Sequence, residues 1–382
     1  MAQATLETLE TPAALIDAPS MARNIARMQA RMNALGVRFR PHVKTSKCIE
    51  VVRQQRDAGA RGITVSTLKE AEQFFAAGFE DILYGVTLAP NKVDQALQLL
   101  RRGCDLQLVV DSIEAAHALL ASTHQAGLRP RVLIEIDVDS HRSGVQPDAP
   151  LLIDLACLLR EGGLAELGVM THAGSSYNYH TEIELIRIAE QERALCVHAA
   201  ERIRAAGIAC SVVSVGSTPT ALSAHNLEGV TEVRAGVYVF FDLVMAGIGV
   251  CRTDEVALSV LTTVIGHQTE RGWVIVDAGW MAMSRDRGTQ SQNIDQGYGL
   301  VCDASGRLLE GLVLSAANQE HGIVSYRQPG SEAGRDWMRA LPIGSRLRIL
   351  PNHACATGAQ HGHYHLLDGG RVLATWNRFN GW

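Results

Sequence analysis

The chain has 382 residues, 47% of them hydrophobic and 20% charged, with a formal net charge of −5. That balance fits a globular protein with a sizeable core and room for two domains. It excludes an extended basic surface for nucleic acid, and no run of about 18 apolar residues is present to span a bilayer.

Residues 1–12 carry Glu7 and Glu10 and lack an apolar leader core, so a cytoplasmic protein is expected. Eight scattered cysteines without a CxxC pair read as reduced thiols. From there the chain alternates between short β-branched runs and amphipathic stretches. Strands are expected at 37–43, 62–66, 81–85, 106–111, 131–137, 166–171, 211–215 and 230–234, separated by helical patterns such as LKEAEQFFAAG and IEAAHALLASTHQAG. Eight successive βα units predict an α/β fold, a (β/α)8 TIM barrel, over residues 20–250. Beyond 250 the helical pattern fades. Runs at 256–267, 272–277, 298–302, 345–351 and 371–376 predict a mostly β domain over 251–382, joined by residues 1–19.

In a barrel the reactive groups hang from the carboxyl ends of the strands. The first strand ends in His42 and Lys44. The fifth is followed by Asp137, Asp139, His141 and Arg142. The sixth leads into His172 and Tyr177. The seventh ends in Gly216, Ser217 and Thr218, and the eighth in Arg234, Gly236, Val237 and Tyr238. A lysine amine at a partly desolvated barrel mouth can condense with an aldehyde. The VGSTPT and RAGVY turns offer backbone amides and hydroxyls for an anion. Together they suit a phosphorylated aldehyde cofactor, pyridoxal phosphate. In the second domain, PNHAC places His353 and Cys355 two apart, on one face if the segment is extended. Imidazole and thiolate suit zinc, and two protein ligands leave positions open for water or substrate. HGHYH puts His361, His363 and His365 on one face as well, either exposed or near that metal.

The blocks TPAALID, RPHVKTSK, THAGSSY, VSVGSTPT, VRAGVY and PNHAC occur in the order seen in pyridoxal-phosphate enzymes of the alanine-racemase barrel type. Within these the chain resembles the D-serine dehydratase and D-threonine aldolase group. The resemblance implies that Lys44 is the cofactor lysine and that Gly216, Ser217, Thr218, Gly236 and Val237 bind the phosphate, with Tyr238 closing that turn. It puts Arg234 at the pyridine nitrogen, Arg142 beside the cofactor, and His172 and Tyr177 near ring and substrate. The His-x-Cys pair sides with the dehydratases, whereas the aldolases carry His-x-Asp; zinc, magnesium or manganese could occupy it. The implied activity is elimination from a D-3-hydroxy amino acid: 3-hydroxyaspartate to oxaloacetate and ammonia, or D-serine to pyruvate. A retro-aldol outcome, a racemase using Tyr298, Tyr326 or Tyr364, and a non-catalytic cofactor-binding protein stay open. Arg285 joins Arg142, His172 and Tyr177 as a candidate for a substrate carboxylate, and a homodimer is the expected assembly.

Overall fold

A computed structural model describes residues 5–328 and 337–382; residues 1–4 and 329–336, within the ranges assigned to the β-rich domain, lie outside the described residues. The chain divides into two units, Ile25–Gly236 and Met1–Asn24 with Val237–Asn380, the last two residues grouping with the first unit.

The first unit is the barrel. Strands β2 (Arg38–Pro41), β3 (Ile63–Val65), β4 (Asp81–Thr87), β5 (Asp105–Val110), β6 (Arg131–Ile136), β7 (Glu166–Thr171), β8 (Val212–Val215) and β9 (Glu232–Ala235) follow the strand β1 (Ala13–Asp17) of the other unit. They pair in parallel in the order β2-β9-β8-β7-β6-β5-β4-β3, and a parallel bridge from His42 to Thr64 joins the two edges. Local chemistry starts the helices between them. Thr67 accepts the Glu70 N–H at 3.0 Å, Ser112 accepts that of Ala115 at 3.3 Å, and Thr181 and Glu184 form a reciprocal capping box. Gly127 ends one helix in the left-handed conformation that glycine adopts without strain.

Alternation along the strands fills the barrel in layers. Leu83, Val109, Leu133, Met170 and Val212 form an apolar cluster across five neighbouring strands. At their amino ends lies a charged network: Arg40 reaches Asp81 at 2.8 Å and Glu232 at 2.9 Å, while Arg131 reaches Asp105 at 2.8 Å and Glu166 at 2.6 Å. Gly62 is required there, because a Cβ would stand 2.1 Å from the Arg40 guanidinium.

The second unit is built on a nine-stranded sheet. It contains β1 with β10 (Leu258–Gln268), β11 (Trp273–Val276), β12 (Gly299–Asp303), β13 (Leu308–Ala317), β14 (Gly322–Tyr326), β15 (Arg346–Pro351), β16 (His363–Asp368) and β17 (Arg371–Asn377). β10 pairs with β15 over Val260–Thr263 and with β11 over Val264–Gln268, with a register shift in the latter pairing between Val264 and Gly266. Strands β10-β11-β14-β13-β12-β15 thereby close into an antiparallel ring around Val260, Val276, Val301, Leu314, Val324 and Ile349. β1, β16 and β17 extend the sheet from β10.

Two sequence expectations need correction. The barrel unit runs from Ile25 to Gly236 rather than from 20 to 250. Residues 237–250 fold with the β-rich unit because the Val244 N–H donates to Asn352 O, the Ala257 N–H to Phe240 O, and Asp242 accepts the Ala354 N–H. Strands β13, β14 and β16 were also not expected. Leu308–Ala317 is interrupted by Gly311, and the sequence places the histidines of HGHYH on one face, either exposed or near the metal, without assigning a strand there.

Candidate functional site

The barrel rim gathers most of the expected residues. Lys44 sits in the turn after β2 with an exposed side chain. The nearby Lys47 is committed elsewhere, to a 3.0 Å ion pair with the buried Glu70. His42 and His172 both feel the charges of Lys44 and Arg234, which places the four groups together. Burial and then the Lys44 charge push His172 down to about 3 and His42 well below its usual range, so both imidazoles are neutral. His172 Nδ1 stands 3.1 Å from Gly216 O. A carbonyl only accepts, so Nδ1 carries the hydrogen and Nε2 is left as an acceptor. The Tyr177 ring lies beside it, centroids 6.2 Å apart.

Arg234 is buried and donates to Ser214 Oγ and Thr171 O. Arg142 is largely exposed and approaches Glu135 at 3.5 Å, rather than Asp137 or Asp139. Asp137 instead caps its own turn, accepting from the Asp139 and Ser140 amides.

The VGSTPT turn differs from expectation in one respect. Gly216 itself is obligatory: its φ is +128°, and a Cβ would lie 2.2 Å from Arg234 O. Its N–H, however, donates to the buried Glu192, and the Ser217 N–H donates to Thr220 Oγ1 at 2.9 Å. The Ser217 amide is thus spent inside the turn, where Ser217 and Thr220 form a capping box around the helix Thr218–Ser223, and the Gly216 amide on the neighbouring helix. Gly236 stays close to the lysine turn; a Cβ there would be 3.0 Å from His42 O. Val237 and Tyr238 begin the other unit and are both buried, with Tyr238 1% exposed. The donor set fits an aldehyde cofactor: an exposed amine, two neutral imidazoles, a buried guanidinium, and a buried Thr64 hydroxyl without a protein partner.

In the β-rich unit, His353 and Cys355 interact through their side chains. They do so by a route other than a shared strand face. His353 is extended and caps the helix Ala354–Gly358, while Cys355 already lies in its first turn. Asp242 fixes that start by accepting the Ala354 N–H at 2.9 Å. Asp286 Oδ2 lies 2.6 Å from His353 Nδ1, which leaves Nε2 for another partner. Burial opposes charge on His353, but Cys355, Asp286 and Asp242 outweigh it and raise the imidazole to about 11. Such a pocket attracts a cation. A ligating histidine oriented by a carboxylate is a familiar second shell for metals. Among the described residues no group of three or more His, Cys, Asp or Glu is arranged to hold a metal.

The remaining candidates fall away. His361 contacts Ala282 O at 3.0 Å, and His363 and His365 lie on β16 with His365 against Thr375 Oγ1. Arg285 stacks over Trp280. Tyr364 is fully buried against Phe240, and Tyr298 and Tyr326 pack on the ring core. Sequence reasoning passed over Glu192 and Asp286. Glu192 had a signal: it is the charge in the stripe Leu185, Ile188, Ala189, Glu192, Cys196 of an otherwise apolar helix face.

Comparison with known proteins shows the family of the chain. The alanine racemase N-terminal domain matches residues 16–244, and a putative serine dehydratase domain matches residues 257–367. The chain is 62% identical to the D-threo-3-hydroxyaspartate dehydratase of Delftia sp. (strain HT23), over 100% of both chains. It is 31% identical to the D-serine dehydratase of Dictyostelium discoideum, over 95% of this chain and 94% of that one. A solved structure of D-threo-3-hydroxyaspartate dehydratase, a cysteine-to-alanine variant in the metal-free form, superposes with a TM-score of 0.97 at 62% identity and full coverage of both chains.

Proposed function

Since this chain belongs to the alanine-racemase-type family of pyridoxal-phosphate enzymes, we propose that it is a lyase that dehydrates D-3-hydroxy amino acids. D-threo-3-hydroxyaspartate is the main substrate, giving oxaloacetate and ammonia, and D-serine gives pyruvate. The observation that carries this reading is the exposed Lys44 amine beside two neutral imidazoles and a buried arginine, in a chain 62% identical to a dehydratase of that substrate.

When bound, pyridoxal phosphate draws electrons from Cα and makes its proton removable. Lys44 Nζ would hold the cofactor and, as an amine at the rim, would serve as the base for the Cα proton. Arg234, fixed by Ser214 and Thr171, would meet the pyridine nitrogen as a permanent cation that cannot surrender a proton to it. His172 and Tyr177 border the ring. Arg142, held at one nitrogen by Glu135, keeps its remaining donors for a carboxylate or the cofactor. Thr218, Gly236 and the start of the Val237–Tyr238 turn are left for the phosphate, with Gly216 and Ser217 shaping the turn. His353 and Cys355 would hold a divalent ion (zinc, magnesium or manganese), which would supply Lewis acidity for the departure of a β-hydroxyl. Of the three C-terminal tyrosines, Tyr364 is fully buried, which argues against it as a racemase's second acid/base, while Tyr298 and Tyr326 are half-buried against the ring core.

The reading includes a cytoplasmic homodimer; no helix among the described residues is long and apolar enough to cross a membrane. Light scattering that returned the mass of a single chain would remove the dimer. The activity is tested by supplying D-threo-3-hydroxyaspartate to the holoenzyme. Oxaloacetate and ammonia in equal amounts are expected; glycine and glyoxylate in their place would make it an aldolase.

A further inference from the structure

Glu192 lies on the helix Glu182–Ala205, within its buried stripe and 2% exposed. A carboxylate there is costly, and an aliphatic side chain would pack in its place without that cost. Its surroundings show what it does. Oε1 accepts the Ala173 N–H at 2.8 Å. The carboxylate also accepts the Gly216 N–H and the Thr220 hydroxyl, and feels the Arg234 charge. Ala173 follows His172 in the turn after β7, whereas Gly216 and Thr220 belong to the turn after β8. Two further links run between the same turns: His172 Nδ1–H to Gly216 O at 3.1 Å, and Ser176 Oγ to Ser217 Oγ at 3.0 Å.

Thr220 Oγ1 accepts the Ser217 N–H at 2.9 Å and has both Glu192 and Ser217 O (3.4 Å) within reach of its proton, and Ser217 Oγ accepts the Thr220 N–H at 3.2 Å. One carboxylate thus sets the conformation of the whole GSTPT turn from its far side.

We propose that Glu192 is a positioning residue: it clamps the turn that carries His172 to the turn that carries Ser217 and Thr218, and so preforms the seat of the cofactor phosphate. The inference rests on the cofactor assignment made above. It extends that assignment to a residue that touches neither cofactor nor substrate.

The test titrates cofactor-free wild type and Glu192→Gln with pyridoxal phosphate and with unphosphorylated pyridoxal, following visible absorbance, and compares the melting temperatures of the cofactor-free proteins. Loss of a charged hydrogen bond that shapes the seat weakens pyridoxal phosphate about tenfold to a hundredfold. Pyridoxal affinity should change far less, because pyridoxal has no phosphate to seat. Equal losses for the two ligands, or no loss for either, would overturn the proposal. Should Glu192→Gln fail to fold, Thr220→Val carries the same expectation, with Thr220→Ser restoring phosphate-selective affinity; failure of that rescue counts against the clamp. A wild type that binds neither ligand takes away the cofactor assignment and this inference with it, whereas a normal wild type with an unaffected variant removes only the clamp.

Discussion

At the scale of single residues, protonation separates the players. Lys44 is exposed at the barrel rim, while His42 and His172 beside it are held neutral by burial and by its charge. This has a measurable consequence for His172. Its folded value, about 3, lies below the ordinary 6.5, so between those limits the unfolded chain binds a proton that the folded chain refuses. Stability therefore holds above pH 6.5 and falls as the pH drops toward 3, with a slope of up to about 1.4 kcal/mol per pH unit from this group. In the cofactor-free protein, His172→Gln should flatten the slope of urea-unfolding free energy against pH in that window; an unchanged slope would show that the imidazole titrates normally. Lys44, His172 and Arg234 could be singled out from the sequence because each lies at or just past the carboxyl end of a strand. Glu192 and Asp286 were not, since their roles come from side-chain partners far apart in the chain, Ala173 and Gly216 for one and His353 for the other.

At the scale of elements, the barrel is polar at both ends and apolar in the middle. Its eight strands were legible as short β-branched runs between amphipathic helices. The charged interior was not: Arg38, Arg40, Asp81, Arg131 and Glu232 look, residue by residue, like a solvated strand face. They are tolerated inside because each is paired. Arg40 is fully buried, yet it holds Asp81 and Glu232 at once, and Ser214 adds a 2.7 Å bond to Glu232. Burial works against the Glu232 charge, but Arg40 and Arg38 prevail and lower it to about 2. Relative to the ordinary 4.5, that stabilisation is present above pH 4.5 and is lost as the pH falls to 2. Glu232→Gln leaves Arg40 short of a counter-charge and should cost about 3–5 kcal/mol in chemical denaturation at pH 7. The loss should shrink in acid, where wild type gives up the same pair. A penalty that is the same at pH 3 and pH 7 would contradict the assignment. In the β-rich unit, legibility failed where alternation was broken. Gly311 interrupts β13, and its φ of +79° beneath the Tyr326 ring leaves no room for a Cβ.

At the scale of the whole molecule, the residues from Lys44 to Gly236 proposed to seat the cofactor and the proposed metal pair His353 and Cys355 belong to different units of the chain. Each unit has its own core, the layered barrel in one and the closed antiparallel ring in the other. Loading of one site should therefore survive damage to the other, although turnover needs both. Removing the divalent ion with a chelator should abolish ammonia release while the visible absorbance of bound cofactor persists, and Cys355→Ala should behave alike. Lys44→Ala should do the reverse, losing the lysine-linked absorbance and activity while metal content, read by elemental analysis, stays near wild type. Asp286→Asn belongs between these cases. It keeps an acceptor for His353 Nδ1 but removes the charge, so metal affinity should fall about tenfold to a hundredfold without loss of the ligands themselves. Full turnover after exhaustive chelation would end the metal's part in the reaction. Cofactor released together with the ion would show that the two loadings are coupled, contrary to their separate construction.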